Sequence, residues 1–188
     1  MITIVGISGS LRKGSFNTML LRCAAARMPE GAELRLGTIR DIPLYDGDIE
    51  ATQGIPAPVA ALKEAIADAH GLLLVTPEYN NSIPGVFKNA VDWLSRPPAD
   101  IPRVFAGKPV ALIGASPGAF GTVMSQNAWL PVLRTLQTRF WSEGRLQVSR
   151  AASVFTDEGE LADAKTDEAL RKFLAGFVQF AAVRVGAG

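Results

Sequence analysis

The chain has 188 residues, enough for one domain with a sizeable core, and its 19 basic and 18 acidic side chains leave a net charge of +1. Near-neutrality argues against a nucleic-acid or anionic-membrane partner and favours a small molecule. A single cysteine excludes an internal disulfide or a cysteine metal cluster, no apolar run reaches the ~20 residues of a membrane span, and no secretory segment is recognisable, so a cytoplasmic location is expected.

The run Ile2-Thr3-Ile4-Val5-Gly6-Ile7 is β-branched and predicts a short buried parallel strand. Ser8-Gly9-Ser10-Leu11-Arg12-Lys13-Gly14-Ser15-Phe16-Asn17 follows, and Phe16, Met19, Leu20 and Cys23 then recur at helical spacing. A strand, a loop of small hydroxyl residues and a helix start together aim backbone N–H groups and a positive dipole end at one point, which suits a phosphate. Gly6, Gly9 and Gly14 do not fit the G-x-G-x-x-G of dinucleotide sites, and Ser15 stands where a P-loop requires lysine. What remains is a compact monophosphate held by Ser10, Ser15, the Asn17 amide, backbone N–H groups and the Arg12 guanidinium. Cys23 lies on the apolar stripe and reads as core.

The helix is expected over 15–28, ended by Pro29 and Gly31, and 33–39 alternates as a second strand near a sheet edge. Residues 41–48 read as a turn-rich loop whose aspartates are a solvated acidic run rather than a metal site. A helix is expected over 58–69, and His70, the only histidine, reads as a capping cation or a solvent-facing residue. Gly71-Leu72-Leu73-Leu74-Val75-Thr76 predicts a central strand.

Pro77-Glu78-Tyr79-Asn80-Asn81-Ser82 crowds the carboxyl end of that strand, where open parallel sheets bind ligands. Pro84 can start the next helix, with Trp93 on it as aromatic surface for core or interface. A linker over 95–109 leads to a fourth strand at 109–114 and a small, glycine-rich loop at 115–121. A helix over 122–138 is expected to be kinked or divided by Pro131. Within 139–156, Phe140 and Trp141 compete with Leu146 and Val148 as the core of a fifth strand, and a last helix spans about 166–183. Residues 186–188 read as a frayed tail after one domain over 1–185.

Alternating strands and helices predict an α/β fold, a five-stranded parallel sheet of order 2-1-3-4-5 with helices on both faces. In that order loops 8–17 and 77–82 face each other across the switch point, with 115–121 beside them. Flavin mononucleotide has the parts these loops would hold, a phosphate and a planar ring.

The segments Gly9 to Asn17, Ile42-Pro43-Leu44-Tyr45-Asp46-Gly47-Asp48 and Pro77-Glu78-Tyr79-Asn80 through Trp93 resemble the NADPH-dependent FMN reductase family, in particular its quinone, azo and chromate reductase branch. The resemblance implies a flavodoxin-like fold, bound FMN, NADPH or NADH as reductant, and homodimers or homotetramers with flavin sites near subunit interfaces. It assigns the phosphate loop (Ser10, Leu11, Arg12, Lys13, Gly14, Ser15, Phe16, Asn17) to the FMN phosphate. It assigns Pro77, Glu78, Tyr79 and Asn80 to the ring, largely through backbone, with Ala115 and Ser116 at its border. Asn81 departs from some relatives, which bears on acceptor preference.

No side chain is assigned a catalytic or metal-binding role. Nicotinamide and then a quinone, azo, chromate or flavin acceptor are expected to use one open ring face in ping-pong fashion, with Gly118, Ala119 and Gly121 keeping that face clear. The alternative is a flavodoxin-type electron carrier without NAD(P)H activity. Such carriers are strongly acidic with uncharged phosphate loops, whereas this chain is near neutral and its loop carries Arg12 and Lys13. A regulatory binding protein with vestigial flavin affinity ranks below both.

Overall fold

The computed structural model describes residues 1–183, and the expected tail at 186–188 lies outside them. Strands β1 (Ile2–Ser8), β2 (Ala32–Gly37), β3 (Gly71–Val75), β4 (Pro109–Ala115) and β5 (Arg139–Phe140) form a sheet in the order β2-β1-β3-β4-β5, and β6 (Leu146–Val148) also pairs with β4. Every pairing is parallel.

Period-two alternation sends Ile4, Leu73, Val75, Ala111 and Ile113 to one face of the sheet, and Val5, Ile7, Leu72, Leu74, Val110 and Leu112 to the other. Helices α1 (Phe16–Ala25) and α7 (Ala164–Ala182) cover the first face with Leu20, Cys23, Phe173 and Phe177. The second face is covered by α3 (Ala57–Asp68), α4 (Gly85–Leu94) and α6 (Val123–Thr135) with Val59, Ile66, Phe87, Trp93 and Trp129. The short helices α2 (Gly47–Gln53) and α5 (Ile101–Val104) lie in the connections. The sheet order, the three layers and the edge position of β2 are those expected from the sequence.

The differences are local. Helix α1 stops at Ala25, four residues before Pro29, whose ring disfavours helical backbone in the residue before it. Gly47 and Asp48, expected to end the turn-rich loop, instead open a helix over 47–53, because Asp46 caps the end, accepting from the Asp48 N–H at 2.8 Å, with Asp48 and Glu50 in the first turn. None of that helix is buried, so no apolar stripe announced it. Pro131 does not divide α6. It lies on the exposed side, and the carbonyl it leaves unpaired, that of exposed Asn127, can bond water.

The two rival cores for the fifth strand both form. Phe140 pairs opposite Val110, and Leu146–Val148 pair opposite Ile113–Ala115, so one strand position is filled by two fragments. Between them Trp141 drops into the core against Phe173. His70 neither caps the helix nor stands free in solvent: it is half-buried, its backbone N–H donates to the Thr3 carbonyl at 2.8 Å and its Nδ1 accepts the Thr3 N–H at 3.1 Å. Trp93 is core, fully buried, its indole N–H donating to the Pro43 carbonyl at 2.9 Å. Cys23 is also core, and burial pushes its thiol above the ordinary range.

Candidate active site

Loop 8–17 leaves β1 at the carboxyl edge of the sheet. Gly9 donates its N–H to the Val75 carbonyl at 2.9 Å, which holds the loop against the end of β3. A Cβ there would lie 2.1 Å from Cδ1 of buried Phe87, so glycine is required by contact. Buried Ser15 caps α1, its Oγ accepting from the Thr18 N–H at 3.4 Å. Of the first N–H groups of α1, that of Thr18 is taken by Ser15 Oγ, while those of Phe16 and Asn17 have no intrahelical acceptor. Ser10 Oγ accepts the Arg12 N–H at 3.3 Å, and the Arg12 guanidinium donates to the Gly14 carbonyl and sits 5.7 Å from the Phe16 ring centroid. Phe16 in turn stacks on Phe155, 5.9 Å between centroids.

Across the switch point, Thr76 is a buried polar hub. Its Oγ1 donates to the Pro77 carbonyl at 2.9 Å, accepts the Trp129 indole N–H at 3.0 Å and shares a 2.8 Å bond with Ser125 Oγ. Glu78 Oε2 accepts the N–H groups of Met124 and Ser125 at 2.8 and 3.0 Å, capping α6 from another loop. Tyr79 and Ser82 exchange two backbone bonds around Asn80 and Asn81, at φ 50° and 60°. That is a two-residue turn of the left-handed kind, which asparagine tolerates better than most residues.

These segments enclose an open cleft of about 240 Å³ lined by Ser10, Arg12, Ser15, Phe16, Asn17, Pro77, Glu78, Tyr79, Ala115, Ser116 and Pro117. Among the residues expected there, Leu11, Lys13, Gly14 and Asn80 are not in its lining. Leu11 and Lys13 face a separate hollow, and Asn80 forms the hairpin turn. The Asn17 carboxamide bonds the Ala115 backbone through both of its ends, which leaves it one Nδ2 hydrogen and its first-turn backbone N–H for an anion. Gly118, Ala119 and Gly121 are not in the lining either, and the packing of Gly121 gives it another task. It is buried at φ 62° with the Gln147 backbone 3.1 Å from where a Cβ would stand, so it serves the turn into α6.

Phe155, Thr76 and Pro117 were missed in the sequence. Thr76 and Phe155 act through contacts far apart in the chain, which leave no spacing pattern, while Pro117 adjoined residues already singled out. Hydroxyls, a guanidinium and the first turn of α1 from one loop, with Pro77, Tyr79, Ala115 and Ser116 from two others, fit a phosphate ester that carries a planar ring.

A 2-1-3-4-5 parallel sheet with such a cleft at its switch point defines a flavodoxin-like nucleotide-binding protein. The model of the NADPH-dependent FMN reductase family matches residues 2–153. The chain is 42% identical to a NAD(P)H-dependent FMN reductase of Pseudomonas aeruginosa over 173 residues, covering 92% of this chain and 91% of that one. It is 49% identical to a quinone reductase of Escherichia coli over 126 residues, covering 66% and 65%. Among solved structures, FerB, a flavoenzyme NAD(P)H:(acceptor) oxidoreductase of Paracoccus denitrificans, superposes with a TM-score of 0.86 at 34% identity over 96% of this chain and 97% of that one. The chain belongs to the NADPH-dependent FMN reductase family and is an oxidoreductase that works with FMN and NAD(P)H.

Proposed function

We propose that this protein is an NAD(P)H-dependent quinone reductase whose FMN phosphate sits at Ser10, Ser15 and the first-turn N–H groups of α1. The observation that carries this reading is the cleft itself, where hydroxyls, a guanidinium and a helix start from the first loop meet Pro77, Tyr79, Ala115 and Ser116 from the two loops across the switch point. FMN, when bound, supplies the two-electron chemistry between a reduced nicotinamide and an acceptor. The chain's own residues bind and orient. Ser15 holds the helix end against the phosphate, Pro77 and Tyr79 present backbone and ring surface to the flavin, and Glu78 keeps that loop registered on α6.

No carboxylate, histidine or thiol is required as an acid or base, which suits a cleft whose one carboxylate, Glu78, is engaged in capping. Nicotinamide and acceptor share one open face in turn, giving ping-pong turnover. Quinones are the favoured acceptors, and azo compounds, chromate and free flavin are further candidates for the same unselective face. Tyr79, Val86, Phe120, Met124 and Leu130 are large exposed apolar side chains on the cleft's ring-side loops, α4 and α6, and we assign them to a dimer or tetramer contact that closes the ring side of the cleft.

An anaerobic NAD(P)H titration of FMN-loaded protein tests the reading. Bleaching of the flavin band, steady NADPH consumption with a quinone and no second protein, and parallel double-reciprocal plots are expected. Flavin reduction only through an added reductase would instead favour the electron carrier.

A further inference from the structure

Leu11 and Lys13 turn away from the flavin cleft into a hollow of about 420 Å³ on the other side of the phosphate loop. The hollow is bounded by that loop, by the outward side of α1 and by residues 36–40 at and after the end of β2. Four cations line it, Arg12, Lys13, Arg22 and Arg40, and no carboxylate does. Elsewhere among the described residues Arg27, Lys63 and Arg103 are matched by Asp167, Asp100 and Glu64, while others such as Arg134, Arg145 and Lys172 take part in no ion pair, so what sets the hollow apart is the gathering of four cations in one lining. Among the described residues none of the four takes part in an ion pair.

The site is also shaped. Arg40 is fixed to the loop, its Nη2 donating to the Leu11 carbonyl at 3.2 Å and its N–H to Thr38 Oγ1 at 3.1 Å. Ser8 and Thr18, both in the hollow's lining, share a 3.0 Å hydroxyl bond, which leaves further hydroxyl capacity facing the space. In a chain of net charge +1, four cations gathered without a counter-charge repel one another, and an anion relieves that repulsion.

We infer that this hollow is a second anion site, taking a phosphate monoester dianion between the Arg22 and Arg40 guanidiniums with Lys13 as a point charge. Two sources supply that chemistry: the 2′-phosphate of NADPH, or free phosphate. Ser10 and Arg12 line both the hollow and the cleft, which puts an anion here next to the proposed cofactor site. The NADPH source rests on the proposed reading of the cleft; the anion site does not.

The test is calorimetric titration of FMN-saturated protein, its first phosphate position filled, with inorganic phosphate and with 2′-AMP. Wild type is compared with the Arg22→Gln/Arg40→Gln double variant, both exposed positions. Binding to wild type, at least about tenfold weaker in the double variant with FMN retained and thermal unfolding unchanged, is the expected result. If 2′-AMP binds more tightly than phosphate, and the KM for NADPH but not NADH rises in the variant, the source is the co-substrate. Equal binding of both, with KM values unmoved, identifies free phosphate. Absence of binding to wild type, or equal binding to the double variant, overturns the site. Failure of wild type to take up FMN would overturn the cleft's reading alone, since the same two titrations on the flavin-free protein still decide the hollow.

Discussion

The carboxamide of Asn17 grips the backbone of Ala115 from both sides, donating through Nδ2 to its carbonyl at 2.8 Å and accepting its N–H through Oδ1 at 2.9 Å. One side chain thereby ties the first turn of α1 to the end of β4, two walls of the cleft 98 residues apart in the chain. Asn17→Asp keeps the acceptor but turns a second oxygen toward the Ala115 carbonyl and buries a charge at a position only 4% exposed. A loss of about 2–3 kcal/mol is expected in urea unfolding, together with weaker FMN retention. Asn17→Ala, which abandons both bonds, should lose a similar amount.

Ser15 separates stability from binding. Aspartate is as good a helix cap as serine, and the helix dipole offsets part of the cost of a carboxylate at a position only 4% exposed, so Ser15→Asp should lose about 1 kcal/mol, less than Asn17→Asp. Its carboxylate would stand where the phosphate is proposed to bind, and FMN should be lost on gel filtration. Flavin absorbance that co-elutes with the variant would remove Ser15 from the anchor.

Glu78 serves α6 rather than the chemistry. Glu78→Ala leaves the Met124 and Ser125 N–H groups without their acceptor and should cost about 1 kcal/mol, read as a lowered Tm. Glu78→Gln keeps an oxygen there and should lose less. The flavin circular dichroism of Glu78→Ala should change as well, because the 77–79 loop loses its register on α6.

Two glycines of one loop should respond oppositely. Gly9→Ala forces a methyl to within 2.1 Å of the buried Phe87 ring and should destabilise by about 1–3 kcal/mol. Gly14→Ala meets nothing within 4 Å and should be neutral to about 0.5 kcal/mol, with FMN retained. Parallel urea titrations compare them.

Asp100 provides an acid-side signature. It pairs with Lys63, whose side chain is 3% exposed against 30% for Asp100, and the Lys63 ammonium holds the carboxyl below the usual range. A depressed carboxyl contributes stability above its unfolded value of about 3.9, and that stability is lost as pH falls through the lower folded value. Asp100→Asn strands a buried cation and should cost on the order of 3 kcal/mol at neutral pH. The gap between variant and wild type should close below the folded value, as urea midpoints across the acid range would show.

The layers and sheet order were legible because β1, β3 and β4 are apolar runs buried on both faces and the helices between them carry clear stripes. The far edge was not, since β5 and β6 are two short fragments sharing one position beside β4, and Trp141 leaves the ladder to fill the core. Helix α2 buries nothing and rests on one cap. At the site, hydroxyls before a helix and a polar cluster after a central strand marked the cleft. The roles of Asn17, Thr76 and Glu78 were hidden because each is a bond to a partner about 46 to 98 residues away, whose location only the folded sheet supplies.

The Thr76 hub makes the two sides of the ring position unequal in stiffness. Thr76, Ser125 and Trp129 are wholly buried and mutually bonded, so residues 76–78 can open only when α6 lifts off the sheet. Residues 117–120 are exposed throughout, Phe120 at 83%, and can open locally. In the single protomer, before the proposed subunit contact covers Phe120, amide exchange should therefore be slow along the first side and fast along the second. An oxidant of unfamiliar shape would be accommodated by a yielding margin facing a fixed one, and breadth of acceptors would then need no change in how the flavin is held.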